Sequence, residues 1–214
     1  MSENENSKKP YVTYGDRCCG CPGSTLPISG CRFTLAPMTD RYVEIITEAV
    51  AKVDTSKVWQ NTDHLSTVYR GKQIHVVDAV KACFVHAYRE GVHMTMEATF
   101  TKGCPGDCDA DCFMAEDDIR MNEEQIRDIH FPVACKIALY PMGTDSYMKE
   151  IAHVVNRAVD LNLYDCSTHY ATYLYGDVQD LFNYFDEVTR YCGEKISHYI
   201  LEATLSVNSP TPRQ

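Results

Sequence analysis

The chain has no surplus of positive charge: 20 Lys and Arg stand against 30 Asp and Glu, a formal net charge of −10 at pH 7. Without the cations that release counterions from a phosphate backbone, nucleic acid and anionic membranes are poor partners. No apolar run approaches the ~20 residues that a bilayer-spanning helix needs, and Met1 to Pro10 is polar, with no signal-peptide core. These features point to a cytoplasmic chain with no membrane insertion. Catalytic patterns are scarce as well. No Gly-rich phosphate loop, His-x-x-x-His helix, close carboxylate pair or nucleophile beside a base stands out.

The composition, 44% hydrophobic and 23% charged, is that of a chain able to bury a core. Its eleven cysteines are therefore read as reduced thiols, because disulfide scaffolds are usually short secreted chains without such a core.

The dominant signal is an internal repeat. Cys31, Leu35, Pro37 and Met38 return 104 residues later as Cys135, Leu139, Pro141 and Met142; after one added residue near Gly143 the offset becomes 105. At that offset Asp40, Tyr42, Ile46, Val50, His64, Thr67 and Gly71 pair with Asp145, Tyr147, Ile151, Val155, His169, Thr172 and Gly176. His93 pairs with His198, and Glu97-Ala98-Thr99 with Glu202-Ala203-Thr204.

Each copy alternates periods in the order βαββαβ. Strands are expected at Cys31 to Ala36 and Val133 to Tyr140, stopping at Pro-Met because proline cannot donate to a ladder. Helices follow, with Thr39 or Asp40 as N-cap of the first. Their apolar stripes are Tyr42, Ile45, Ile46, Ala49, Val50 and Val53 in one copy and Tyr147, Met148, Ile151, Val154, Val155 and Ala158 in the other. Short strands at Lys57 to Gln60 and Leu65 to Arg70, second helices at Gln73 to Arg89 and Val178 to Tyr191, and long final strands at Val92 to Thr101 and Ile196 to Val207 complete the copies.

The expected fold is α+β: two tandem ferredoxin-like repeats, each an antiparallel four-stranded sheet with its helices on one face. The boundaries read as an irregular tail at 1–29, a first repeat at 30–105, a linker at 106–131, a second repeat at 132–210 and a short tail at 211–214. The linker and first tail look like poor core material, with one helical turn after Asn122. A sheet bare on one side must hide it against another copy or a ligand.

Repeated polar positions single themselves out, since a core gives no reason to duplicate His and Glu. Period-two alternation sends His93, Thr95, Glu97 and Thr99 to the bare face and Met94, Met96, Ala98 and Phe100 to the helices. The second copy offers His198, Glu202 and Thr204 likewise. Such donors and acceptors suit the edge of an amino-substituted heteroaromatic ring. Trp59, its counterpart Tyr164, Tyr69, Tyr140 and Tyr175 could stack on it. His64, Ser66 and Thr67, with His169 and Thr172, stand beside turn residues as further candidate contacts, and Met38 and Met142 serve as pocket wall or core filler. The alternative is that His93 and His198 cap strand starts while Glu97 and Glu202 line a polar dimer seam.

Cys104, Cys108 and Cys112, with Cys18, Cys19 and Cys21, carry enough sulfur for a metal or redox role, but their spacing is not diagnostic and fits paired C-x2–4-C knuckles only loosely. Cys31, Cys83, Cys135 and Cys192 read as buried filler.

The stretches Arg32-Phe-Thr-Leu-Ala-Pro-Met-Thr-Asp40, Asp54-Thr-Ser-Lys-Val-Trp59, Thr62-Asp-His-Leu-Ser-Thr-Val68 and Gly103-Cys-Pro-Gly-Asp107 resemble the YkoF family, as do Ala138-Leu-Tyr-Pro-Met142, His169-Tyr-Ala171 and Ser206-Val-Asn-Ser-Pro210. The resemblance implies two ferredoxin-like, ACT-like repeats, a homodimer, and a pocket per repeat for thiamin or hydroxymethylpyrimidine. It implies salvage or uptake of that ligand, linked in bacterial relatives to a transport system, with no catalysis and no cofactor. The cysteine-bearing amino terminus, Cys108 and Cys112 depart from the family pattern. Two other functions remain open on the residues alone: a pyrimidine-processing enzyme using His93 or His198 with Glu97 or Glu202, and a cysteine-based metal or redox module.

Overall fold

Alternating strand and helix periods become alternating elements. The computed structural model describes residues 27–102 and 108–211. Its first copy runs β1 (Ser29–Pro37), α1 (Tyr42–Lys52), β2 (Trp59–Thr62), β3 (Thr67–Gly71), α2 (Gln73–Ala87) and β4 (Met94–Lys102). A 3-10 segment (Cys108–Ala115) and a short helix α3 (Glu123–Ile126) follow, the latter where one helical turn is expected. The second copy is β5 (Pro132–Met142), α4 (Tyr147–Asp160), β6 (Tyr164–Thr168), β7 (Ala171–Asp177), α5 (Val178–Lys195) and β8 (His198–Val207).

Each copy forms an antiparallel four-stranded unit, and the two units fuse. The strand order is β2-β3-β1-β4-β8-β5-β7-β6 in a single eight-stranded sheet, joined where β4 pairs antiparallel with β8. Ala98 stands opposite Ala203, its own repeat counterpart, with Glu97 opposite Thr204 and Thr99 opposite Glu202. A strand paired with its own copy about a shared centre defines a pseudo-twofold axis, so the chain is built like a symmetric dimer of repeats.

The core lies on the helix side. Met94, Met96, Ala98 and Phe100 are buried there, as alternation requires, with Tyr199, Leu201, Ala203, Leu205 and Val207 from β8. Phe84 of α2 contacts Phe182 of α5 at 5.9 Å, and Phe100 contacts Phe185 at 5.5 Å, so one cluster spans both copies.

The helix stripes are narrower than expected. Ile45, Ala49 and Val53 are buried, as are Val154 and Ala158, whereas Tyr42, Tyr147 and Met148, all in the first turns of their helices, are exposed. Neither Thr39 nor Asp40 caps α1; Arg41 holds the N-cap position without a side-chain cap bond and instead pairs with Glu44 at 2.5 Å. β1 keeps Pro37 as its last residue, and β5 continues through Pro141. β7 leaves β5 at Ile137, so Pro141 sits beside an open edge, where proline is tolerated.

The segment between the copies is not poor core material. Ala110, Asn122, Ile126 and Phe131 are buried, and Tyr88 stacks on Phe131 at 3.9 Å. This segment covers the outer side of α2, which therefore buries His75, Asp78 and Lys81 as well as its apolar residues. Asp78 Oδ2 accepts from the Met121 and Asn122 backbone N–H groups and from Asn122 Nδ2. Lys57 pairs with Asp117, Lys72 Nζ donates to the Glu116 carbonyl, and His75 Nε2 lies 2.7 Å from the Asp117 carbonyl oxygen.

Candidate functional site

Pairing registers map the bare face of the sheet as four rows. Trp59, Arg70, Gly30, Thr101, Ile200 and Tyr140 form the first; Val68, Arg32, Thr99, Glu202 and Ala138 the second. Thr34, Glu97, Thr204, Lys136 and Tyr173 form the third; Ala36, Thr95, Ser206, Ala134 and Tyr175 the fourth. The pseudo-twofold axis exchanges the second row with the third. Both carboxylates consequently fall beside the β4–β8 seam, on diagonally adjacent positions, each with a threonine directly opposite.

A cleft of about 70 Å³ opens on this face, lined by Arg32, Phe33, Thr34, Ser66, Glu97 and Thr99. Ser66 reaches it from the β2–β3 hairpin, whose turn is tied down by Asp63: Oδ1 accepts from the Leu65 and Ser66 N–H groups at 2.8 and 2.9 Å. Those two bonds, Leu65 first, hold the Asp63 carboxyl below the ordinary range. The cleft thus unites three expected residues, Ser66, Glu97 and Thr99, with two that sequence reasoning missed, Arg32 and Thr34. Arg32 was legible: it follows the repeated Cys31, and its counterpart Lys136 is also a cation.

The remaining expected residues are dispersed. His93 and His198 lie at opposite ends of the face; His93 precedes β4, its Nε2 3.2 Å from Ser206 Oγ, and four residues of strand, ~13 Å, separate it from Glu97. Thr67 stands opposite Phe33 and Thr172 opposite Ile137, which puts both on the helix-covered side. Thr67 Oγ1 meets Thr62 Oγ1 at 3.0 Å, and Thr172 is buried. His64 and His169 are exposed in the hairpin turns. Trp59 sits at the sheet margin with the Arg70 guanidinium 5.6 Å from its ring centroid. Tyr69 is buried against Phe33 on the helix side, too far inside to stack on a guest. Tyr140 is exposed in the first row, Met142 is half-buried, and Met38 is 58% exposed, so Met38 does not fill the core.

The model of the YKOF-related family matches residues 28–107 and again 132–212. The chain belongs to that family. A YkoF relative from Bacillus subtilis (strain 168), named "Putative HMP/thiamine-binding protein YkoF", is 40% identical over 196 residues, covering 92% of this chain and 96% of the relative.

A larger cleft of about 230 Å³ lies on the helix side between α4 and α5. Its walls are tied to one another: Arg157 Nε donates to Glu187 at 2.5 Å, and His153 stacks on Tyr191 at 3.8 Å. The first copy places Lys52, Ala82, Glu48 and His86 at the matching positions, so this YkoF-family chain does not duplicate that chemistry.

Cys31, Cys83, Cys135 and Cys192 are buried thiols, as expected; burial pushes Cys83 and Cys192 up to about 12 and Cys31 and Cys135 further. Cys18, Cys19, Cys21 and Cys104 lie outside the described residues. Cys112 is exposed, and among the described residues no three His, Cys, Asp or Glu groups gather to hold a metal.

Proposed function

We propose that this protein binds thiamin, or its hydroxymethylpyrimidine moiety, without transforming it, with one pocket per repeat. The observation that carries the reading is the duplicated carboxylate and hydroxyl on the bare sheet face: Glu97 and Thr99, matched by Glu202 and Thr204. A carboxylate beside a hydroxyl can accept the exocyclic amino group of an aminopyrimidine and pair with its protonated ring. The B. subtilis relative's name supports the same ligand class. Binding rather than conversion is favoured because the two histidines that could act as acid or base stand far from the carboxylates.

The role we assign is cytoplasmic salvage or uptake, in functional partnership with a transport system for thiamin or its precursor. No helix among the described residues is long and apolar enough to cross a membrane, so translocation would fall to that partner. The first cleft, about 70 Å³, encloses only part of such a ligand, since pockets that bury drug-sized molecules run to roughly 300–1,000 Å³. A homodimer joined through the bare faces would supply the missing walls.

Titration calorimetry with thiamin and with hydroxymethylpyrimidine tests the reading. Two ligands per chain are expected, and Glu97→Gln should weaken one site by tenfold or more while sparing the other. No heat with either compound would overturn it. Incubation followed by mass spectrometry should return both compounds unchanged.

A further inference from the structure

Arg32 and Lys136 do something the neutral pyrimidine alcohol does not require. They occupy the same position in the two copies, one residue after the repeated Cys31 and Cys135. Each projects from the bare face between two buried neighbours, Cys31 and Phe33 in one case, Cys135 and Ile137 in the other. Thr34 and Ser66 of the first cleft become Ala138 and Ala171 in the second copy, yet the positive charge stays. Neither cation has a hydrogen bond or ion pair among the described residues, although each has a carboxylate at hand. Arg32 stands opposite Thr99, and Glu97 stands opposite Thr34 on the same two strands. Guanidinium and carboxylate are thus diagonal neighbours, with backbones ~7–8 Å apart. Lys136 and Glu202 repeat the diagonal on β5 and β8.

Resting on the binding reading above, we propose that the preferred ligand is a phosphate monoester of the hydroxymethylpyrimidine, its phosphate held by Arg32 in the first site and Lys136 in the second. The ring's amino edge meets Glu97 or Glu202. A planar guanidinium can pair bidentately with phosphate oxygens, and in the first cleft the hydroxyls of Thr34, Ser66 and Thr99 can donate to the remaining ones. Glu97 stays one diagonal away from the phosphate, while Asp63, the acidic group nearest on the hairpin, is occupied by its own turn. The short diagonal favours an ester on the pyrimidine itself. In a thiamin phosphate a second ring separates the amino group from the anion.

The full chain should be titrated at low salt with four compounds: the pyrimidine alcohol, its phosphate monoester, thiamin and thiamin monophosphate. The pyrimidine ester should bind at least tenfold more tightly than the alcohol, and inorganic phosphate should compete with that excess. In Arg32→Gln/Lys136→Gln the ester-to-alcohol ratio should fall to near one, and in Arg32→Lys the first site should keep most of it. Both replaced side chains are exposed, and far-UV circular dichroism checks that the variants fold. Equal binding of alcohol and ester, a ratio unchanged by the double substitution, or a phosphate preference confined to the thiamin pair would each overturn this inference while leaving the binding reading intact. Silence from all four compounds would overturn both.

Discussion

Replacing Asn122 by Ala should cost more than its place between two repeats suggests, and the cost should depend on pH. Asn122 is 1% exposed and clamps the linker to the first repeat from three directions. Its Oδ1 accepts from the Asp54 N–H at 2.7 Å, and its Nδ2 donates to the Asp54 carbonyl at 3.0 Å and to Asp78 Oδ2 at 2.8 Å. Two neutral bonds at about 1 kcal/mol each and one to a carboxylate at about 1.5–3 kcal/mol, discounted because Asp54 is half-buried and water can replace part of the loss, give about 3 kcal/mol. The pH term follows from Asp78. Burial holds its carboxyl above the ordinary value of 3.8, against the opposing bonds from Asn122. A carboxyl raised in the folded state contributes stability that is fully present below its unfolded value and is lost as pH rises through the folded one. Asn122→Ala removes the side-chain bond that lowers the folded value, so ionised Asp78 becomes still less favourable. The variant's deficit should therefore be larger near neutral pH than below the unfolded value of 3.8, where the carboxyl is protonated in both states. Urea unfolding followed by far-UV circular dichroism at both pH values measures this. A deficit below about 1 kcal/mol, or one equal at both pH values, would refute the reasoning.

Further outcomes follow from packing and exposure. A Cβ at Gly176 would lie 2.3 Å from Leu163 Cδ2 in the core, so Gly176→Ala should cost about 1–3 kcal/mol, read by thermal unfolding. Leu65 and Tyr170, repeat counterparts at the two hairpin tips, are 83% and 98% exposed, so Leu65→Ser and Tyr170→Ser should each shift stability by less than about 0.5 kcal/mol. Peptide mapping after brief thiol labelling of the native protein should find Cys112 and Cys166 modified, and Cys31, Cys83, Cys135 and Cys192 only after denaturation.

The element order, the alternation on β4 and the duplicated Glu and Thr were legible in the sequence because they depend on period and repeat alone. Fusion of the two sheets was not: a period says which face a side chain takes but not which strand lies alongside. Thr67 and Thr172 stood among the candidate ligand contacts for the same reason; pairing with Phe33 and Ile137 turns them to the helices. The linker was misread because its covering of α2 is polar. Asp78, Lys81 and Asn122 lack the apolar rhythm that announces a buried surface, and their burial depends on polar contacts, the Asn122–Asp78 hydrogen bond and the Lys81–Glu123 ion pair, that composition does not reveal. Tyr42, Tyr147 and Met148 keep the helical rhythm yet stand exposed in the first turns of α1 and α4.

The seam itself gives a second reason for keeping Glu-Ala-Thr in both copies. Antiparallel pairing about Ala98 and Ala203 sets each glutamate opposite a threonine, so no like charges stand face to face, and small residues meet at the centre. It also buries the long inner edge of each repeat, leaving the four-residue β2 and five-residue β6 as the outer edges of the sheet. Short polar edges resist edge-to-edge aggregation. Glu97, Thr99 and their counterparts could therefore be retained for register alone, with no ligand involved. Arg32 and Lys136 separate the two causes. They lie on β1 and β5, outside the β4–β8 pairing, and nothing in the seam or the core uses their charge. Substitutions at these two positions leave the joint between the repeats untouched, so any change they produce in ligand preference belongs to the face and not to the fold.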